Sequence, residues 1–114
     1  MHKRRVNESI ADTIIKQIGG KKALYMLGAK QITYSSDGDK TVFNIPNKGY
    51  IVFQTPYPKK GTYCIIFLRP DDTYTVLFYR IKNYMPEKDF QVDDVYYDQL
   101  IEVIESYTGA YLSL

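Results

Sequence analysis

The segment Thr62 to Leu68, followed by Pro70-Asp71-Asp72 and then Tyr74 to Lys82, constrains the fold more than any other part of this chain. Along its first arm Tyr63, Ile65 and Phe67 alternate with Cys64, Ile66 and Leu68, so both faces of a strand are apolar. Successive side chains on a strand point to opposite faces, so such an arm belongs in the interior of a sheet covered on both sides. Proline presets the backbone angle of a turn and the aspartates suit its other positions, which predicts a β-hairpin. The second arm repeats the pattern, with Val76 and Phe78 on one face and Leu77, Tyr79 and Ile81 on the other.

Shorter strands are expected before this hairpin. Gln31 to Tyr34 and Thr41 to Ile45 flank Ser35-Ser36-Asp37-Gly38-Asp39, and Asp-Gly between apolar runs is a hairpin signal. Tyr50 to Gln54 reads as a third short strand, bounded by Pro46 and by Pro56 and Pro58, whose missing N–H groups suit loops or edges. Asn83 to Gln91 reads as a loop, with a further edge strand inside it as the alternative.

Helices are expected at both ends. Asn7 or Ser9 suits a cap for a first helix, and Ile10, Ile14 and Ile18 form its apolar stripe, widened by Ala11 and Ile15. Gly19-Gly20 stops that helix, because glycine adopts the left-handed conformation at little cost. Lys21 to Leu27 reads as a short second helix closed by Gly28, and Met1 to Val6 as a basic, mobile leader. Val95 to Tyr107 reads as the last helix, with Asp93 and Asp94 as caps and Tyr96, Leu100, Val103, Ile104 and Tyr107 on its buried face. The tail Tyr111 to Leu114 is expected to tuck onto the body. Strands grouped between terminal helices predict an α+β fold: a single domain over residues 7–114 with two N-terminal helices, an antiparallel sheet of four or five strands and one C-terminal helix.

Twelve tyrosines and no tryptophan occur in 114 residues. Tyrosine suits a ring with one buried end and one wet end, and it gives contact area at low entropy cost. The expectation is a core and at least one surface built from tyrosine. Tyr74, Tyr79, Tyr84, Tyr97 and Asp98 are the candidate protein interface.

Charge is uneven although the net is only +2. Residues 1–30 carry seven Lys/Arg against two acids, whereas residues 85–114 carry one base against seven acids. Arg4, Arg5, Lys16, Lys21, Lys22 and Lys30 form the candidate nucleic-acid patch, since basic side chains neutralise phosphates and release counterions. A helix, two glycines and a second helix superficially match a helix-turn-helix, but the second helix is too short and offers Lys, Ala, Leu, Tyr and Met rather than base-reading side chains. Tyr63, Tyr74, Tyr79, Arg80, Lys82 and Tyr84 suggest a stacking platform for single strands, against which stands ordinary cross-strand packing.

Catalytic signals are weak. The lone histidine, His2, lies in the basic leader, and one Cys with one His cannot build a structural zinc site. Asp37 and Asp39 lack the spacing and closing glutamate of a calcium loop. Gly19-Gly20-Lys21-Lys22 follows a helix rather than a strand and lacks the phosphate-loop pattern. Asp94 and Asp98 would form an i, i+4 carboxylate pair on a helix, with Glu102 and Glu105 beyond, a pattern usually solvated. Cys64 lies in a strand, where a buried inert thiol is expected, and an unpaired cysteine fits a reducing compartment. No apolar run approaches the length of a membrane span, and no apolar segment follows the basic start as in a signal peptide. The expectation is a protein that is not an enzyme, with no cofactor, no metal and no membrane association.

Three stretches resemble a group of short uncharacterised proteins carried by bacteriophages and prophages. They are Ile14 to Gly20 running on to Met26-Leu27-Gly28-Ala29-Lys30; Pro70 to Val76 with Phe78 and Arg80-Ile81; and Asp94 to Leu100 with Thr108 to Leu114. Residues 46–60, with three prolines, depart from that group. The resemblance implies a phage or mobile-element origin, nothing about mechanism and no particular site residues; with the lone cysteine, the expected location is the host cytoplasm. The combined expectation is an accessory binding protein that contacts a host protein or a second copy of itself. Nucleic-acid binding through the basic N-terminal helices is the alternative, and capture of a small nucleotide a further one.

Overall fold

The computed structural model describes the backbone of residues 2–36 and 43–112 and the side chains of residues 10–34 and 43–112. Helix α1 spans His2–Gln17 and α2 spans Gly20–Met26; strands β1 (Lys30–Ser36), β2 (Gly49–Thr55), β3 (Thr62–Leu68), β4 (Tyr74–Lys82) and β5 (Met85–Val95) follow. A 3-10 turn at Tyr97–Gln99 leads into α3, Leu100–Thr108. The strands form one antiparallel sheet in sequence order, β1-β2-β3-β4-β5. The α+β class, the helix placement and the upper strand count agree with the sequence expectation.

The hairpin of β3 and β4 has the expected bounds and pairs Leu68 with Tyr74 and Thr62 with Arg80. β3 is the middle strand and is covered on both faces. On one face Cys64 and Ile66 meet the three helices in the main core, with Ile14 and Ile18 of α1, Leu24 of α2 and Leu100 and Ile104 of α3. Each such aliphatic side chain contributes about 1.5–3 kcal/mol on burial. On the other face Ile65, Phe67 and Leu77 form a smaller cluster roofed not by a helix but by Phe43 and Ile45 of the β1–β2 connection. That connection is held by the Lys48 N–H, which donates to the Leu68 carbonyl at 2.7 Å.

Four elements differ from their sequence expectations. α1 begins at His2, so its helix takes in the run assigned to a basic leader and starts before Asn7 or Ser9. β1 pairs with β2, Tyr34 opposite Ile51 and Ser36 opposite Gly49, and not with Phe43 to Ile45, the described part of its expected partner. Residues 37–42, which include the Asp-Gly turn, lie outside the described residues, and Phe43 to Ile45 form no strand. β5 occupies most of the stretch read first as a loop and carries Asp93 and Asp94, which therefore cap nothing. The last helix starts at Leu100, not Val95, and the chain ahead of it is tied by the Tyr96 N–H donating to Gln99 Oε1 at 3.1 Å. Tyr96 is consequently exposed, and the buried face of α3 is Leu100, Ile104 and Thr108.

The glycine stops behave as read. At the end of α2 the Ala29 N–H reaches the Leu24 carbonyl and the Gly28 N–H the Tyr25 carbonyl, both at 2.9 Å, with Gly28 at φ +62. This is the paired bonding of a Schellman cap, which needs a left-handed residue at that position. Leu112 is buried, and its N–H donates to Glu105 Oε2 at 2.8 Å, so the tail folds back onto the body as far as Leu112; residues 113–114 lie outside the described residues.

Candidate functional site

β3 and β4 pair only as far as Thr62 opposite Arg80, so the last two residues of β4 and the first of β5 run past the neighbouring strand. The projecting finger ends in a two-residue turn, Asn83 at φ +53 and Tyr84 at φ +64, with Lys82 opposite Met85. Two positive φ values define the turn type that matches the twist of paired strands, and its second position favours glycine. A tyrosine there holds a left-handed conformation that costs an L residue roughly 1–2 kcal/mol. Tyr84 is 98 % exposed, Met85 65 % and Ile81 50 %, so three apolar side chains stand exposed at the tip beside Lys82 and Asn83. The shaft is polar: Lys82 Nζ donates to Glu87 Oε1 at 2.9 Å, and Arg80 Nε donates to Asp89 Oδ2 at 2.7 Å. The hydrogen bond between Arg80 and Asp89 holds the Asp89 carboxyl below the ordinary carboxylate range. At the finger's base a depression of about 260 Å³ lies among Pro58, Lys59, Thr62, Arg80, Asp89 and Tyr107.

The sequence-derived interface residues do not converge. Tyr74, expected at an interface, is 2 % exposed, and burial, with a lesser push from the Asp72 charge, raises its phenol to about 12. It is a core residue, because its position on β4 faces the helices and its hydroxyl is used internally by Gln17. Tyr79 is half-buried on the opposite face, its ring stacked on Tyr63 at 5.1 Å and 14° and tilted against Phe43. Tyr97 and Asp98 are exposed beyond the far end of β5, a strand of 11 residues, and so about 30 Å from the finger tip. Only Tyr84 of the five sits at the tip; Ile81 and Met85 were not singled out, although Asn83 between two apolar-flanked arms is the turn signal that would have found them.

The expected tyrosine core is likewise one residue, Tyr74. The other eleven rings are half-buried or exposed, which makes tyrosine a surface residue in this fold. No stacking platform forms from Tyr63, Tyr74, Tyr79, Arg80, Lys82 and Tyr84, since they divide between two faces and the tip, and both cations are paired with carboxylates.

Of the basic patch, Arg4 and Arg5 lie in the first turns of α1, Lys16 in its last turn, Lys21 and Lys22 at the start of α2 and Lys30 at the start of β1. Lys16, Lys21, Lys22 and Lys30 are exposed, and among the described residues none has an ion-pair partner. Lys48, Arg69, Arg80 and Lys82, by contrast, pair with Asp72, Asp93, Asp89 and Glu87.

The acidic residues are dispersed. Asp93 accepts from Gln91 Nε2 at 3.0 Å and Thr75 Oγ1 at 2.8 Å, which lower its pKa, with Arg69 adding to the effect. Asp94 sits in β5 at φ +57, so Asp94 and Asp98 do not form the helical pair expected of them. Among the described residues no group of three His, Cys, Asp or Glu side chains is placed to hold a metal ion. Cys64 is fully buried, and desolvation pushes its thiol pKa up. No helix among the described residues is long and apolar enough to cross a membrane.

Comparison with protein-family models, curated proteins and solved structures finds no match for this chain.

Proposed function

We propose that this chain is a small non-enzymatic accessory protein of phage type, which acts in the host cytoplasm by gripping a protein surface with its β4–β5 finger. One observation carries the reading: Tyr84 is 98 % exposed at a strained turn position, between exposed Ile81 and Met85. Strained positions cluster where function uses them, and an aromatic with flanking aliphatics suits a central interface anchor. Two or three such side chains in a partner's groove supply most of the energy of a small interface, ringed by polar groups such as Lys82 and Glu87. The phage origin and the host cytoplasm rest on the three sequence stretches described above.

The test is sedimentation velocity of the protein alone and mixed with host-cell protein fractions, for the wild type and for Tyr84→Gly with Met85→Thr. A stoichiometric complex, with a second copy or a host protein, that persists at high salt and is lost in the variant supports the reading. A complex the variant retains refutes it.

A second reading has its own observation. Lys16, Lys21, Lys22 and Lys30 are exposed and have no acidic partner among the described residues, whereas Lys48, Arg69, Arg80 and Lys82 are ion-paired, which suits contact of the first group with nucleic acid. Salt-sensitive binding of an oligonucleotide that disappears on Lys16, Lys21 and Lys22→Glu would favour it over the finger.

A further inference from the structure

A second cavity of about 260 Å³ opens between the end of α2, the start of β1 and the loop from β2 to β3, lined by Gly28, Lys30, Gln54, Pro56, Lys60 and Gly61 among others. Its walls are fastened. Thr55 Oγ1 donates to the Leu27 carbonyl at 2.6 Å and accepts from the Tyr57 N–H at 3.2 Å, which ties the loop to the cap of α2. Across the loop, Thr62 Oγ1 donates to the Lys59 carbonyl at 2.7 Å. Pro56 lies so near Gly28 that a Cβ there would meet its ring at 3.1 Å, so the two walls touch and the cleft cannot widen from that side without breaking packing. A Cβ on Gly61 would meet nothing within 4 Å, which leaves the opposite wall open to a ligand.

Charge decides what the cleft suits. It brings together two lysines from distant parts of the chain, Lys30 from β1 and Lys60 from the loop, and no carboxylate lines it. Among the described residues neither lysine has an ion-pair partner. Gln54, whose side-chain amide can donate two hydrogen bonds, also lines the cleft, and Pro56 and the lysine stems fit its mostly apolar wall. Two cations and an amide at one site, without an acid, match an anion with several acceptor oxygens.

We propose that this cleft is a phosphate site, in which Lys30 and Lys60 neutralise a phosphate ester, Gln54 donates to it, and Pro56 contacts the carbon-bearing part of the ligand. The phosphate belongs to a free nucleotide or to the backbone of a nucleic-acid strand. The site stands independently of the finger: loss of Tyr84 contacts leaves it intact, and its failure leaves the finger reading untouched.

The experiment is a titration of the ¹⁵N-labelled full chain followed by two-dimensional NMR, with inorganic phosphate, adenosine 5′-monophosphate and a single-stranded oligonucleotide as separate probes. The backbone amides of Gly28 and Gly61 and the Gln54 side-chain amide are expected to shift together, with a dissociation constant of about 1 mM for the mononucleotide. Lys30→Gln with Lys60→Gln is expected to weaken this at least tenfold. Lys88→Gln, a charge removal on the far strand, should leave it unchanged. Equal response to mononucleotide and inorganic phosphate assigns a free anion. A far tighter oligonucleotide response that falls steeply with salt assigns a strand. The proposal is overturned if none of the three probes shifts these amides, or if the Lys30/Lys60 variant, folded by its amide spectrum, responds as the wild type does.

Discussion

The hydroxyl of Tyr74 on β4 donates a hydrogen bond to the side-chain carbonyl of Gln17 in the last turn of α1, and so joins the start of β4 to the first helix through the core. The bond exists only while the phenol keeps its proton. Tyr74 is held at about 12 against an unfolded value near 10, so the stability it contributes is whole below about pH 10 and is lost as pH rises towards 12. Tyr74→Phe should lower stability at pH 7 by about 1 kcal/mol and flatten the alkaline limb of a denaturation series. Cys64, Tyr79 and Tyr107 shift in the same direction and keep part of that limb. An alkaline limb of unchanged steepness in the variant would show that Tyr74 is not the group responsible.

At the acid end the sign reverses. Asp89 and Asp93 have lowered pKa values, the first through its hydrogen bond with Arg80, the second through Gln91 and then Thr75. Their contribution is present above the ordinary carboxylate pKa and disappears as pH falls through the lowered one. Asp89→Asn should therefore reduce stability at pH 7 and reduce the further loss between about pH 4 and pH 2. Urea melts at the two pH values measure both; equal acid sensitivity of variant and wild type would contradict the assignment.

Two glycines with the same backbone sign should differ in what they tolerate. Gly28 and Gly20 both have positive φ, but a Cβ on Gly28 meets Pro56 at 3.1 Å whereas one on Gly20 meets nothing within 4 Å. Gly28→Ala should cost the conformational penalty of roughly 1–2 kcal/mol plus the contact with Pro56, and Gly20→Ala the penalty alone. Thermal midpoints decide it, and a larger loss at Gly20 would contradict the packing of α2 against the β2–β3 loop.

Cys64 should be silent in the native state. Fully buried and with its thiol pKa raised, it should react with a thiol reagent only at the rate of global unfolding. Cys64→Ser places a hydroxyl in the apolar core that holds Ile66, Phe53 and Phe78 and should cost about 1–3 kcal/mol. Rapid labelling of the folded protein would mean that β3 opens locally.

What the sequence disclosed follows from how much of each element is buried. β3 and β4 were legible to the residue because both of their faces are apolar, and the isoleucine stripe of α1 was legible because one side of that helix is buried. β5 hid because it is an edge strand: Glu87, Lys88, Asp89, Asp93 and Asp94 protect it from pairing with other chains and erase the pattern that marks a strand. The pairing of β1 was misread because an Asp-Gly turn signal is local, whereas the partner of β1 is set by the register of β2 against β3. The candidate sites were read least well. Tyr74 and Tyr84 are the same residue type on the same hairpin, and only the tertiary structure makes one a core anchor and the other the tip of a finger. The Lys30–Lys60 cleft joins residues thirty positions apart, which no spacing rule reveals.

Tyr84 should carry opposite signs for folding and for binding. Glycine relieves the left-handed strain at φ +64, so Tyr84→Gly should raise stability by about 0.5–1 kcal/mol while removing the aromatic anchor. A gain in thermal midpoint is the expected result; a loss would mean that the ring packs onto its own shaft.

The most direct test of the finger is a photoreactive phenylalanine analogue placed at residue 84, with the same analogue at residue 97 as the comparison, irradiated in host cells. The account predicts a discrete cross-linked protein, either a second copy or one host protein, from position 84 and none of the same mass from position 97. Cross-linking from position 97 with none from position 84 would contradict it and move the contact surface to the other end of β5.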